Sequence, residues 1–405
     1  MSTKASNKTT LCFAGDLYLK SRNELCSVMD KSVVDFLNSG DACFVNFASP
    51  ATGFRKSYTK YTPSIKRDIN CSAPDVLADF PELFPDGIVS LANDHLGDRG
   101  SVGIIDTLES FEKYGVPFIG AGRFPDEELK YRIFGDDVKV GVIAILGRKH
   151  GIRKFRNKVG PLRSRRKEDI AAMISEVREK CDYLVLIYHG GRRYNNVAEP
   201  AKRAAISKYL DAGCDVVVAH HPHVIQRPEI INGKYVFYSI GDLFLTERAD
   251  VMGAPMEGLV LRLEFTGSGI KPYLQYLDIT EDHVALSDKE YVPSYINSEN
   301  EYKAAWAEAE KEKATIRAAY IDYNRRWKLA AYKDELERID RTLELIEKNR
   351  GAAKIEGIEE RLNTIKGILE RKTAFIYNKM SETDDIDAEE FDEETEEKSA
   401  SEGIL

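Results

Sequence analysis

One local pattern recurs along this chain and constrains its fold more than any other feature. A short, solidly apolar, β-branched run stops abruptly at a cluster of Gly, Asp, Asn or His. Val216-Val217-Val218-Ala219 runs straight into His220-His221-Pro222-His223, and Leu11-Cys12-Phe13-Ala14 runs into Gly15-Asp16. Apolar runs of this kind, without polar alternation, are what strands buried on both faces require. The pattern predicts strands at Thr10 to Ala14, Ala42 to Asn46, Gly87 to Leu91, Val138 to Leu146, Tyr183 to Tyr188, Val216 to Ala219 and Tyr235 to Ile240. Between them, Asn23 to Asn38, Val102 to Tyr114, Glu168 to Cys181 and Pro200 to Ala212 carry the spacing of a helix with one apolar face. The fold class is therefore α/β, with sheets lying between helical layers. Gly258 to Phe265 and Tyr273 to Ile279 read as antiparallel strands, and Asn232-Gly233 is a hairpin turn, so the sheets are expected to be mixed.

After Ser298 the composition turns to Ala, Glu, Lys, Arg and Leu, and the apolar period changes from two to seven. Three coiled-coil-like seams follow: Trp306, Ile316, Tyr320, Tyr323 and Trp327; then Leu329, Tyr332, Leu336, Ile339, Leu343 and Ile346; then Ile355, Ile358, Leu362, Ile365 and Leu369. Asn349-Arg350-Gly351 breaks the register, so the last two seams are expected to form an antiparallel helical hairpin with Gly351 closing its first arm. Glu382 to Glu397 is a run of carboxylates that cannot bury enough apolar surface to fold. The expected organisation is a disordered stretch over 1–9, the α/β domain over 10–285, the helical extension over 298–380 and a disordered acidic tail over 381–405.

A formal net charge of -9 argues against a general nucleic-acid binder. The six cysteines form no CxxC pair and are expected to be reduced thiols. The polar stretch Met1 to Thr10 leaves no room for an apolar secretory segment, and no run elsewhere approaches the roughly 20 apolar residues of a membrane span. A cytoplasmic location is expected.

The chemistry sits at the strand ends. Asp16 is a hard oxygen donor at the C-terminal end of a strand, where α/β proteins bind ligands. Asn46 ends the next strand with an amide. Asn93-Asp94-His95, with Asp98 behind it, places more polar groups at a strand tip than one helix cap would use. His189-Gly190-Gly191 and His220-His221-Pro222-His223 again follow apolar strands, and together hold four of the seven histidines. Imidazole and carboxylate clusters on open loops suit a divalent ion far better than a core. From Arg148 to Lys167 the chain is dense in cations, and Arg192 and Arg193 follow His189. Singly these are solvated charges; collectively, beside a metal site, they form a funnel for an anionic substrate or polymer.

Gly15-Asp16, Asn93-Asp94-His95 with Asp98, Gly120-Ala121-Gly122, His189-Gly190, His220 to His223 and Tyr238-Ser239-Ile240-Gly241 resemble, in order, the motifs of the CapA family of capsule-synthesis proteins. The resemblance covers most of residues 10–265. It implies a calcineurin-like metallophosphoesterase sandwich of two mixed sheets flanked by helices, with one or two divalent ions (Mn, Fe, Zn or Mg) at the strand ends. Carried over residue by residue, Asp16, Asp94, His189, His221 and His223 resemble metal ligands. His95 resembles the histidine set beside the leaving oxygen. Asn46, Asn93, Arg148 and Arg192 fall at substrate-binding places, and Asp98, His220 and Asp242 at others of the site. Two departures stand out: Ala48 replaces an expected bridging Glu, and Asp94 and Asp242 stand where Asn is usual. Without the bridge one tight ion is expected, unless Asp94 or Asp242 supplies it.

The function so implied is a metal-dependent hydrolase of a phosphorylated or polyanionic substrate in capsule or envelope polymer synthesis. A degenerate metal-binding scaffold, or a partner subunit in a polymer-synthesis complex, remains as the alternative. Residues 298–380 are expected to brace the α/β domain or each other, with self-association or a protein partner as the alternative.

Overall fold

A computed structural model of the chain describes residues 7–22, 24–53, 71–128, 130–147, 159–163, 166–245, 256–348 and 356–381. They fall into two compact units divided between Ala314 and Thr315. The first unit is a mixed α/β assembly. Its larger sheet runs, in spatial order, through Val284–Glu290, Gly269–Ile279, Gly258–Thr266, Lys8–Tyr18, Ala42–Phe47, Gly87–Ser90 and Phe118–Ile119, and Asp242–Leu245 also pairs with Lys8–Tyr18. The strands from Lys8–Tyr18 onward are parallel, whereas the three before it are antiparallel. The second sheet runs through Glu229–Ile231, Lys234–Phe237, Val216–His220, Tyr183–His189, Val140–Leu146 and Arg132–Phe134, parallel in the middle and antiparallel at both edges.

The alternation of side chains along each strand explains the layering. Leu11 and Phe13 face one way and join Phe44, Val142, Ile187, Val218 and Leu261 in an apolar cluster shared by both sheets. Cys12 and Ala14 face the other way, under Leu37, Leu108 and Phe111 from helices Lys31–Leu37 and Gly100–Lys113. On the far face of the second sheet, Ile143, Leu186 and Val217 pack under Ile170, Ile174, Ile206 and Leu210 from helices Lys167–Arg178 and Pro200–Ala212. Burial on both faces is why the central strands read as solid apolar runs.

Several expectations change at their edges. Lys8 and Thr9 are strand, not disordered: they pair with Thr266 and Phe265, and the Thr9 hydroxyl donates to Val138 O at 2.5 Å. The single helix expected over Asn23 to Asn38 is two, Glu24–Val28 and Lys31–Leu37, because Asp30 takes an extended φ/ψ and its carboxylate accepts the Ser32 N–H as a cap. The strand expected to reach Ile240 ends at Phe237, and the Tyr238 carbonyl accepts from Lys202 instead. None of the six cysteines is in a disulfide.

Helix Glu299–Lys348 starts in the first unit, where Tyr302 and Ala309 cluster with Val197 and Ile296 and the Tyr302 hydroxyl donates to Ala198 O. In the second unit Lys366 Nζ lies 2.5 Å from Asp340 Oδ1, and Lys333 Nζ lies over the Tyr377 ring. Residue numbers rise on one helix as they fall on the other, so Glu356–Ser381 pairs antiparallel to the later part of Glu299–Lys348. Leu329, Ile339, Leu369 and Ile376 are buried there, while Ile358, expected on the seam, is 54% exposed. Residues 349–355, Gly351 among them, and the acidic tail lie outside the described residues. So do the side chains of Ile316, Tyr320, Tyr323 and Trp327. No helix among the described residues is long and apolar enough to cross a membrane.

Candidate metal centre

The parallel strands of the two sheets bring their C-terminal ends to one place. His189 and His220 end adjacent strands in register with one another. Asp16 pairs in register with Asp242 across a parallel bridge and with Asn46 on its other side. The two Gly-Asp pairs thus lie side by side, which only glycine permits: a Cβ on Gly15 would sit 2.2 Å from Gly241 O.

Two triads result, buried except for Asp94, whose side chain is 16% exposed. In the first, Asp94 Oδ1 lies 2.9 Å from His189 Nε2 and Asp94 Oδ2 lies 3.7 Å from His221 Nδ1. In the second, His223 Nδ1 lies 2.7 Å from Asp242 Oδ1 and 3.4 Å from Asp16 Oδ2. Asn46 stands between them, its Nδ2 donating to Asp16 Oδ1 at 2.7 Å and lying 3.2 Å from His189 Nδ1. The backbone is bent to achieve this. Of the described residues other than glycine, Tyr194, His221, His223 and Asn232 have positive φ, and the first three border the site. Such conformations cost roughly 1 to 3 kcal/mol each and persist where the surroundings impose them, which marks this turn as a place where side-chain aim matters more than stability.

The donor set fits a divalent ion. Each triad offers oxygen and imidazole nitrogen, the mixture that borderline metals prefer. Asp16 Oδ2 is fully buried with no hydrogen-bond partner, as is His220 Nδ1, which lies 3.7 Å from Asp16 Oδ1. Burial raises the Asp16 pKa, against His189 and Asn46, which favour its ionised form. Burial opposes ionisation at Asp94 too, but His95, His221 and the contact with His189 outweigh it and hold that carboxyl well below its ordinary range. A buried carboxylate without a full set of partners is costly, and a cation removes that cost. Burial, with His189 and Lys202 adding to it, drives His220 well below its ordinary value and so keeps it neutral.

His95 sits outside both triads. Its Nδ1 lies 2.9 Å from Asp98 Oδ2, and its Nε2 is 3.9 Å from Asp94 Oδ1. Burial lowers its pKa, but Asp94 and Asp98 together prevail and raise it. Two of the residues expected at substrate-binding places have different settings. Asn93 is fully buried, with Nδ2 donating to Phe47 O and lying 3.5 Å from Asn46 Oδ1, and Oδ1 accepting the Leu96 N–H, so it shapes the loop. Arg192 is exposed and its backbone N–H donates to Glu199 Oε2; Arg193, its neighbour, is the one that reaches Asp94 and His95. Of the basic stretch, Arg166 is committed to Glu128 and Asp169, both at 2.6 Å. Arg148, Lys149, Arg153, Lys154, Arg156, Lys158 and Arg165 lie outside the described residues.

Lys202, behind the centre, is a group that sequence patterning gave no reason to single out. It is 3% exposed, and its Nζ donates to Tyr238 O at 2.6 Å and to Gln226 Oε1 at 3.2 Å. Burial pushes its pKa down to about 7, with Glu199 and Asp16 opposing. A lysine whose folded-state pKa is depressed charges the fold a penalty that is full below about pH 7 and fades as pH rises towards the unfolded value near 10.4. Lys202→Met is therefore expected to raise the melting temperature more at pH 6 than at pH 9. Equal shifts at the two pH values in a thermal scan would remove this assignment.

Comparisons with known proteins place these residues in a family. Residues 10–247 match the family model described as "Bacterial capsule synthesis protein PGA_cap", which spans more than half of the chain. The PGA biosynthesis protein CapA of Bacillus subtilis is 32% identical over 49% of this chain and 51% of its own length. The capsule biosynthesis protein CapA of Bacillus anthracis is 26% identical over 59% of this chain and 60% of its own. A probable polyglutamine synthesis accessory protein of Mycobacterium tuberculosis is 26% identical over 38% of this chain and 44% of its own. The chain thus spans about half the length of the curated relatives it matches.

Proposed function

We propose, from the premise that this chain belongs to the bacterial capsule synthesis protein family PGA_cap, that it is a metal-dependent phosphoesterase-type hydrolase acting on an anionic substrate of capsule or envelope polymer synthesis. The observation that carries the reading is the pair of triads at the strand ends, Asp94, His189 and His221 in one, Asp16, His223 and Asp242 in the other. Each would hold one divalent ion, and the nitrogen content favours Mn, Fe or Zn over Mg. A divalent ion bound there supplies Lewis-acid polarisation of an ester oxygen and lowers the pKa of water towards neutrality.

The chain's own residues contribute the rest. Asp98 fixes the His95 ring through Nδ1, and Nε2 lies 3.4 Å from Arg193 Nη2 and 3.9 Å from Asp94 Oδ1. The Asp98 carboxylate, 2.9 Å from Nδ1, favours the imidazolium, the form that donates a proton to a leaving oxygen. Asn46 ties Asp16 to His189 and keeps the two triads in fixed relation. The layering of two mixed sheets between helices supports a metallophosphoesterase-like sandwich, and the paired helices of the second unit support a coiled-coil-like extension that serves a protein partner. The unpaired thiols fit a cytoplasmic setting.

The alternative is a non-catalytic metal-binding scaffold, favoured by Ala48, which is 2% exposed and offers no carboxylate. Elemental analysis of the purified chain, with a screen of phosphomonoesters and phosphodiesters, separates the two. Bound metal with metal-dependent hydrolysis is expected. Bound metal without turnover on any phosphoester would leave the scaffold, and a chain that takes up no metal would end both readings.

A further inference from the structure

Two consecutive arginines follow His189-Gly190-Gly191, and the fold treats them differently. Arg193 Nη2 lies 3.5 Å from Asp94 Oδ2 and 3.4 Å from His95 Nε2, with the side chain 29% exposed. The guanidinium therefore meets the centre while the side chain as a whole keeps part of its surface in solvent. Arg192 is exposed, and its backbone N–H donates to Glu199 Oε2.

The next residue explains the aim. Tyr194 has φ 59, its N–H donates to Pro222 O at 2.8 Å, and its ring stacks on His223 at 26°. Gln226 Nε2 donates to Asn195 O at 2.7 Å, and the Arg227 N–H to Asn196 O at 2.9 Å. The loop is thus pinned to the same turn that carries His221 and His223. Arg193 is held over the first triad just as Tyr194 is held over the second.

We propose that Arg193 is an oxyanion-binding residue, whose guanidinium receives the two-oxygen anionic group of the substrate, a phosphoryl or a carboxylate, at the mouth of the centre. The inference rests on the metal-centre reading above. Three carboxylates, Asp16, Asp94 and Asp242, stand in the triads, and two divalent ions would outweigh them. Arg193 adds to that excess, and an anion entering from solvent balances it. At 3.5 Å the contact with Asp94 is loose, whereas the shorter Asp94 contact is with His189 at 2.9 Å. A planar fork of N–H donors matches two coplanar acceptor oxygens, which an ammonium group does not.

The test is calorimetric titration of inorganic phosphate, and separately of acetate, into the manganese-loaded full chain. Wild type, Arg193→Lys, Arg193→Ala and Arg193→Gln are compared, with the metal content of each measured first. Unchanged metal content is expected throughout. Anion affinity should fall by about 10- to 100-fold in the alanine and glutamine variants, the scale of a lost charged hydrogen bond, and recover partly in the lysine variant. The anion with the larger dependence on Arg193 identifies phosphoryl or carboxylate as the group received. Unchanged affinity for both anions in a metal-replete alanine or glutamine variant would overturn the proposal. Metal loss in those variants would overturn it too, by making Arg193 a support for Asp94. A wild-type chain that takes up no manganese fails at the first measurement, which defeats the metal reading and this inference with it.

Discussion

His95→Asn is expected to lower turnover by about 10²- to 10⁴-fold, the range for loss of a general acid or base, while the metal content stays that of wild type. The separation follows from geometry. His95 Nε2 stays 3.9 Å from Asp94 Oδ1, and its Nδ1 is engaged by Asp98 at 2.9 Å, so the ring belongs to neither triad. Asparagine keeps a polar group near Asp98 but has no proton to give. Asp98→Asn serves as the companion variant: it leaves the imidazole in place and removes the charge that orients it, so a smaller loss is expected. The pair is read by single-turnover kinetics on a phosphoester substrate, with elemental analysis alongside. Loss of metal with the residual ions turning over normally would return His95 to the ligand set and defeat the assignment.

Much of the fold was legible because its strands are buried on both faces and so appear as unbroken apolar runs. The helix Pro200–Ala212 was legible to the residue, since proline starts it and Gly213, at φ 128, stops it. The Asn232-Gly233 turn was equally plain, both residues adopting the positive φ that the hairpin between Glu229–Ile231 and Lys234–Phe237 demands. Strand Val284–Glu290 was missed because Ser287, Asp288, Lys289 and Glu290 give it a polar edge character. At the site, residue types and strand ends pointed to the histidines and to Asp16, but pattern alone says nothing of register across strands far apart in sequence. The parallel pairing of Asp16 with Asp242 is such a register, and it brings Asp242 into the set that holds Asp16 and His223. Side-chain direction was just as hidden. Arg192 and Arg193 are indistinguishable by composition, yet Arg193 reaches Asp94 and His95 while Arg192 is exposed.

The missing carboxylate at position 48 is the departure with the largest expected consequence. From sequence, a chain with Ala48 would hold one tight ion, because a shared carboxylate normally screens two like charges held close together. The triads suggest a different solution, in which each ion keeps a carboxylate of its own, Asp94 on one side and Asp242 on the other, with the Asn46 amide between. Wild type is then expected to take up two ions in a calorimetric or mass-spectrometric titration. Asp242→Asn should weaken one of the two sites by more than the about 10- to 100-fold typical of losing a mere supporting partner, since Asp242 is itself a donor. His221→Ala should weaken the other and leave the Asp16 triad loaded. Ala48→Glu should add no ion to wild type and should lower stability, because position 48 is closed and extra atoms in a packed interior cost about 1 to 3 kcal/mol. In the Asp242→Asn background the same change should bring the second ion back, since a carboxylate is then lacking. One tight ion in wild type, rising to two with Ala48→Glu alone, would show that the triads do not act separately and would restore the shared-carboxylate picture.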